Sequence, residues 1–152
     1  SAWTLVAAEV AVTAALTLVG TLIVVATTAA AYGNRQPAHV AGVVGAWLVV
    51  TLVFAAVGIL LGAVLPNTRA AQAVGTILFF VMLMVCGAGP PPEVLSGSLR
   101  AVADALPLTH SIRILQDPWL GLAWEWSSFA ALLGFLSVSS LLALRFFRWE
   151  PR

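Results

Sequence analysis

The chain has 152 residues, of which 61% are hydrophobic and 9% charged, with a formal net charge of +1. A soluble domain carries roughly a quarter charged residues, so a water-soluble bundle is excluded, and a mean hydropathy of +1.03 places the chain in a lipid bilayer. A charge this near neutrality, without a basic stripe, also excludes nucleic acid as a partner.

From Trp3 to Tyr32 the only charged residue is Glu9. This run, about 3–32, exceeds the length needed to cross a hydrocarbon core of about 30 Å at about 1.5 Å per residue. Its threonines (Thr13, Thr17, Thr21, Thr27, Thr28) can return hydrogen bonds to the preceding turn and so do not argue against a span. Glu9 admits two readings: an intramembrane carboxylate facing a translocation path or paired with an arginine, or a side chain reaching the headgroups. Its position near the start of the run favours the second. Gly33-Asn34-Arg35-Gln36-Pro37 is a turn.

The second span, 40–65, carries no charge. Gly42 and Gly45 share a side, and Gly58-xxx-Gly62 permits close helix contact, expected within the same subunit rather than at a dimer seam. Trp47 suits an interfacial aromatic belt and His39 a solvated interface. Pro66 disfavours helix at Leu65 and so ends the span there. Asn67 or Thr68 can cap the third span, 70–87. Its Phe79, Phe80, Met82 and Met84 read as core packing. Gly87-Ala88-Gly89-Pro90-Pro91-Pro92 cannot continue a helix.

The segment from Glu93 to Trp126 is too apolar for a loop and too polar for a span. Leu95, Leu99, Val102 and Leu106 recur at helical spacing, predicting an amphipathic helix over 93–106 that stops before Pro107. A second, over 108–117, places Leu108, Ile112 and Leu115 on one face and stops at Asp117-Pro118. Both should rest against the membrane or the bundle, and Trp119, Trp124 and Trp126 mark an interface. The last span is 127–144, followed by the basic, aromatic tail Arg145-Phe146-Phe147-Arg148-Trp149-Glu150-Pro151-Arg152.

The expected fold is therefore an all-α integral membrane protein forming a single membrane domain over 1–152. It has four transmembrane helices, with two short amphipathic interfacial or re-entrant helices between spans three and four. Arg69, Arg145 and Arg148 lie close to span ends on the side shared by both termini, which makes that side cytoplasmic and the two short helices extracytoplasmic.

All seven basic residues are arginine. A P-loop requires its lysine, so any ATP that drives this protein is bound by another polypeptide. Cys86, the single cysteine, lies in an apolar run and reads as a small buried hydrophobe. One cysteine and two distant histidines give no metal-ligand spacing, and no cofactor is expected in this chain. The start at Ser1, without a basic region ahead of a long apolar run, argues against a signal peptide and reads as a fragment or a processed chain. Asp104, His110, Ser111, Arg113 and Asp117 are the residues from which an acyl-transfer arrangement could be written. Neighbours on one helix point about 100° apart, however, which separates His110 from Ser111. The expected arrangement is a solvated face with an Arg113–Asp117 pair.

Gly58 and Gly62, Leu65-Pro66-Asn67, Ala70-Ala71, Phe79-Phe80, Gly87, a following proline and Pro107-Leu108-Thr109-His110 stand in an order that resembles ABC exporter permeases of the type-2 class. The resemblance covers roughly residues 40–150 and is specific in order and spacing rather than in any one motif. It implies the last four spans of a six-span permease for drugs, lipids or polysaccharides, with separate ABC ATPase subunits and a second permease copy or paralogue as partners. The family-motif positions it marks are Gly58, Gly62, Pro66, Asn67, Gly87, Pro107 and His110. The alanine-rich, all-arginine composition suggests a high-GC bacterial genome and hence the bacterial inner membrane. Two other classes remain, a membrane-embedded enzyme and a non-transporting interaction subunit.

Overall fold

The computed structural model describes residues 2–33, 36–86 and 96–146. Among these the chain forms six helices: α1 (Ala2–Tyr32), α2 (Val40–Val64), α3 (Thr68–Val85), α4 (Gly97–Asp104), α5 (Pro107–Leu120) and α6 (Trp126–Phe146). Four of them, α1, α2, α3 and α6, are long and apolar enough to cross a membrane. The two shorter helices lie between the third and fourth spans, as the hydrophobic periodicity predicts. The Gly87 to Pro92 break, Glu93 and Leu95 lie outside the described residues, as do Arg35, Arg148 and Arg152.

The α2–α3 turn follows local rules. Leu65 ends α2 in extended backbone at φ −89°, ψ 147°, the conformation a following proline imposes. Asn67 is the α3 N-cap, its side-chain oxygen accepting the Ala70 amide at 2.8 Å.

α2 is the centre of the bundle. It packs chiefly on α6 and α5, and the fully buried Ala46, Val53, Ile114 and Leu132 join the three helices, with Val49, Val50, Leu115, Phe129, Phe135 and Leu136 around them. Small side chains at Ala46, Ala55 and Ala56 on α2 and at Ser128, Ser139 and Ala143 on α6 are buried. Such residues allow close backbone approach where lipid removes the hydrophobic drive for helix association. α1 and α3 are peripheral: 0% and 6% of their most apolar windows is buried, against 28% in α2.

Several expectations change in three dimensions. Gly58 and Gly62 are exposed, and a Cβ at either would meet nothing within 4 Å. At about 100° per residue Gly58 lies about 140° round the helix from Val53 and Gly62 about 180°, so both turn away from the α2–α6 seam. The close approach is at Gly42 instead, where a Cβ would lie 2.8 Å from Pro118 Cβ and 3.0 Å from Trp124 Cζ2. Trp47 is half-buried and donates its indole N–H to Thr21 Oγ1 at 3.1 Å, tying α2 to α1. Phe79, Phe80 and Met84 are exposed, and only Met82 of that stripe is buried, because α3 sits on the outside of the bundle. The threonines of α1 behave as expected: Thr17, Thr21 and Thr27 donate to the carbonyls of Thr13, Thr17 and Ile23 at 2.7, 2.7 and 2.8 Å.

The short helices also differ in detail. α4 is limited to Gly97–Asp104 among the described residues, and its Leu99 and Val102 are 45% and 51% exposed while Ala103 is 5% exposed. It therefore meets the rest of the chain through Ala103 and leaves its leucine and valine uncovered. α5 begins at Pro107, an N1 position where the missing amide hydrogen costs nothing. It does not stop at Asp117-Pro118 but runs through Pro118 to Leu120. Pro118 sits in the last turn, where one lost amide is tolerated, and Gly121 ends the helix in left-handed backbone at φ 73°.

Gly42→Leu should therefore overpack the α2–α5 contact and cost about 1–3 kcal/mol. Gly58→Leu and Gly62→Leu should each stay within about 0.5 kcal/mol of the parent. Thermal unfolding of the chain in detergent measures all three, and a loss at Gly58 or Gly62 equal to that at Gly42 would contradict this packing.

Candidate functional site

A cluster of hydrogen-bonded polar side chains lies at the end of the bundle where α5 closes over the heads of α2 and α6. The frame is made by backbone. Ala38 N and His39 N, just ahead of α2, donate to the carbonyls of Trp119 and Pro118 at 3.1 and 3.0 Å. The positive end of the α2 dipole thus meets the negative end of α5, and two of the carbonyls that end α5 gain donors.

α5 then reaches back to α4. Thr109 Oγ1, 5% exposed as a residue, donates to the Ala103 carbonyl at 2.6 Å. His110 Nε2 lies 2.9 Å from the Asp104 carbonyl oxygen, and Nδ1 lies 3.0 Å from Ser128 Oγ on α6. Ser128 is fully buried and donates to Glu125 Oε2 at 2.8 Å. Asp117 Oδ2 accepts the Glu125 amide at 2.9 Å. Arg113 bridges the two ends, with Nη2 2.7 Å from Asp104 Oδ1 and Nη1 3.9 Å from Glu125 Oε1. Those ion-paired side chains are 38–46% exposed, so the pairs themselves contribute about 0–1 kcal/mol. The buried hydroxyl and backbone bonds contribute more, since breaking one leaves a polar group unsatisfied.

This knot joins residues that sequence reasoning had separated. His110 and Ser111 do diverge: Ser111 Oγ bonds the Pro107 carbonyl at 2.8 Å while His110 turns to α6. The expected Arg113–Asp117 pair does not form, because Asp117 caps the Glu125 amide and Arg113 turns to Asp104. Glu125 and Ser128 were missed as site residues. Their only local signal is a carboxylate and a hydroxyl three residues apart at the start of α6, within bonding reach of each other. The arrangement does not suit nucleophilic catalysis. Ser128 is 0% exposed, and the second nitrogen of His110 meets a backbone carbonyl rather than a carboxylate. No group of three or more His, Cys, Asp or Glu among the described residues is placed to hold a metal.

Of the other marked positions, Pro107 starts α5 beside this knot, Pro66 and Asn67 form the turn at the opposite end of α2, and Gly58 and Gly62 face outward. Gly87 lies outside the described residues. Glu9 is exposed on α1, remote in sequence from the knot. A partly open groove of about 640 Å³ lies along the second half of α1, walled by Val24, Val25, Thr28, Ala29, Tyr32, Gly33, Pro37 and Trp119. Its lining is mostly apolar, with the Thr28 and Tyr32 side chains as its hydroxyls.

Asp117→Ala removes the acceptor for the Glu125 amide. It should destabilise the chain by about 1–2 kcal/mol, read as a lower melting temperature in detergent, whereas Arg113→Ala should cost less than about 1 kcal/mol.

The model of the ABC-2 type transporter membrane domain matches residues 1–118. The match takes in α1, which the motif resemblance over roughly 40–150 did not reach, and ends within α5. No curated protein and no solved structure matches the chain. Domains of this kind have no ATPase activity and no cofactor, ATP being bound by the ABC ATPase subunits with which they generally pair. Four long apolar helices with two short ones between the third and fourth, and a family match over three-quarters of the length, have one reading: the chain belongs to the ABC-2 type transporter family, as a multi-pass membrane permease domain.

Proposed function

We propose that this chain forms one side of the translocation path of an ATP-driven exporter for an amphipathic or lipid-linked substrate. A second permease copy or paralogue supplies the other side, and separate subunits hydrolyse ATP. The observation that carries this reading is the pair of uncovered spans. α1 and α3 bury almost nothing against the rest of the chain, so both present apolar surface to lipid or to another polypeptide. The apolar groove along α1 favours a cargo with hydrocarbon character. Glu9, exposed on α1, is assigned to the headgroup region, and the family-motif residues Pro66, Asn67, Gly87, Pro107 and His110 are assigned structural roles.

The same reading places the protein in a bacterial inner membrane. Arg69 follows the α2–α3 turn and Arg145 lies in the last turn of α6, which supports a cytoplasmic position for that end and for both termini. The α4–α5 pair then lies outside, over the ends of the spans.

The test is reconstitution in proteoliposomes with the ATPase subunit. The chain alone should neither bind nor hydrolyse ATP, because it contains no lysine for a P-loop. With its ATPase, the complete permease should move a fluorescent amphipathic lipid analogue only when ATP is present. Saturable ATP binding by the chain alone, or translocation unaffected by the ATPase, would overturn the assignment. Orientation is read separately in a Cys86→Ser background: Ser96→Cys should react with a membrane-impermeant thiol reagent added to intact cells. Reaction only in inverted vesicles would reverse the topology.

A further inference from the structure

The knot at the head of α6 contains more hydrogen bonds than its ordinary protonation state can supply. Three contacts run in a row: Asp104 carbonyl to His110 Nε2 at 2.9 Å, His110 Nδ1 to Ser128 Oγ at 3.0 Å, and Ser128 Oγ to Glu125 Oε2 at 2.8 Å. Each contact needs one hydrogen. The Asp104 carbonyl can only accept, and an ionised carboxylate can only accept. A neutral imidazole brings one hydrogen and the serine hydroxyl brings another, so the third must come from an added proton. It sits either on His110, with both ring nitrogens donating and Ser128 donating to Glu125, or on Glu125, with the carboxyl donating to Ser128 and Ser128 to Nδ1.

We infer that His110, Ser128 and Glu125 form a proton-dependent latch, a site that binds one proton and in doing so holds α4 and α5 to the head of α6. His110 meets the carbonyl of Asp104, the last residue of α4. Three carboxylates, Asp104 on α4, Asp117 on α5 and Glu125 ahead of α6, stand against the single guanidinium of Arg113. The remaining titratable or charged groups on the elements packed round it are His39 at the head of α2, Arg69 at the start and Cys86 at the end of α3, Arg100 on α4 and Arg145 at the far end of α6. The chain of three contacts includes none of them. With the proton bound all three bonds form. As pH rises through its release one is lost: Ser128 donates to the ionised Glu125, the neutral imidazole donates its one hydrogen from Nδ1 to Ser128, and the Asp104 carbonyl at the end of α4 is left without a donor. The latch is therefore closed at low pH and loosens as pH rises. It rests on the hydrogen-bond geometry alone and is independent of which substrate the permease moves.

The test uses the buried Ala103, through which α4 meets the rest of the chain. In the 152-residue chain, carried in nanodiscs with Cys86→Ser, the reaction rate of Ala103→Cys is divided by that of Ser96→Cys, an exposed control that cancels the pH dependence of thiol chemistry. From about pH 5 to about pH 8 this ratio should rise roughly tenfold or more, as expected for losing a hydrogen bond that involves a charged partner. Glu125→Gln supplies the third hydrogen through its amide, so its ratio should stay low across the whole range. His110→Ala should give a ratio that is high and flat. A parent ratio that does not change with pH, or a Glu125→Gln protein that titrates like the parent, would overturn the latch. The Glu125→Gln profile decides the matter even if His110→Ala fails to fold.

Discussion

A helix that ends against another element must find partners for its last carbonyls, and a helix that begins there must find them for its first amides. Here the two demands answer each other. The Pro118 and Trp119 carbonyls at the end of α5 accept the His39 and Ala38 amides at the head of α2. That pairing seats α5 on α2, brings Pro118 against Gly42, and directs Ile114 into the core with Ala46, Val53 and Leu132. Once α5 is held, the chain must turn sharply to start α6. Gly121 supplies the left-handed residue for this turn, where an added Cβ would also lie 3.1 Å from Ala38 Cβ.

The polar knot follows from that placement. With α5 fixed over the bundle end, its Thr109 and His110 are in reach of the α4 carbonyls, and its Asp117 is in reach of the amide that begins the α6 turn. For α4, hydrogen bonds replace hydrophobic burial as the means of holding a short helix in place. This explains how α4 stays attached although its Leu99 and Val102 contribute nothing to the chain's own core.

The distribution of burial agrees with a permease domain. α2, α5 and α6 form one packed unit, while α1 touches it through few contacts, among them the Trp47–Thr21 hydrogen bond. A lightly attached span beside a rigid three-helix unit is a natural place for relative movement, since sliding α1 breaks few interactions. The groove between the end of α1 and Trp119 lies at that boundary.

Hydrophobic run length and the placement of proline, asparagine and arginine were enough to read four spans, two intervening helices and the α2–α3 turn, because each depends on local rules of the backbone and of the bilayer. The permease family was also legible, from the order of motifs around Pro66-Asn67 and Pro107-Leu108-Thr109-His110. Which face of a helix is buried depends on what stands opposite, and one chain of letters does not record that. Gly58-xxx-Gly62 carries the familiar small-residue spacing yet faces outward, whereas Gly42 makes the tight contact because Pro118 happens to oppose it. Likewise Arg113 and Asp117 stand at the spacing of a helical ion pair, but each found a better partner on another element. His110 met Ser128, eighteen residues away in sequence, only because α5 folds back on α6. Periodicity and composition determined the elements and the solvent they live in. The tertiary structure alone decided the partners, because contact specificity comes from three-dimensional opposition rather than from sequence spacing.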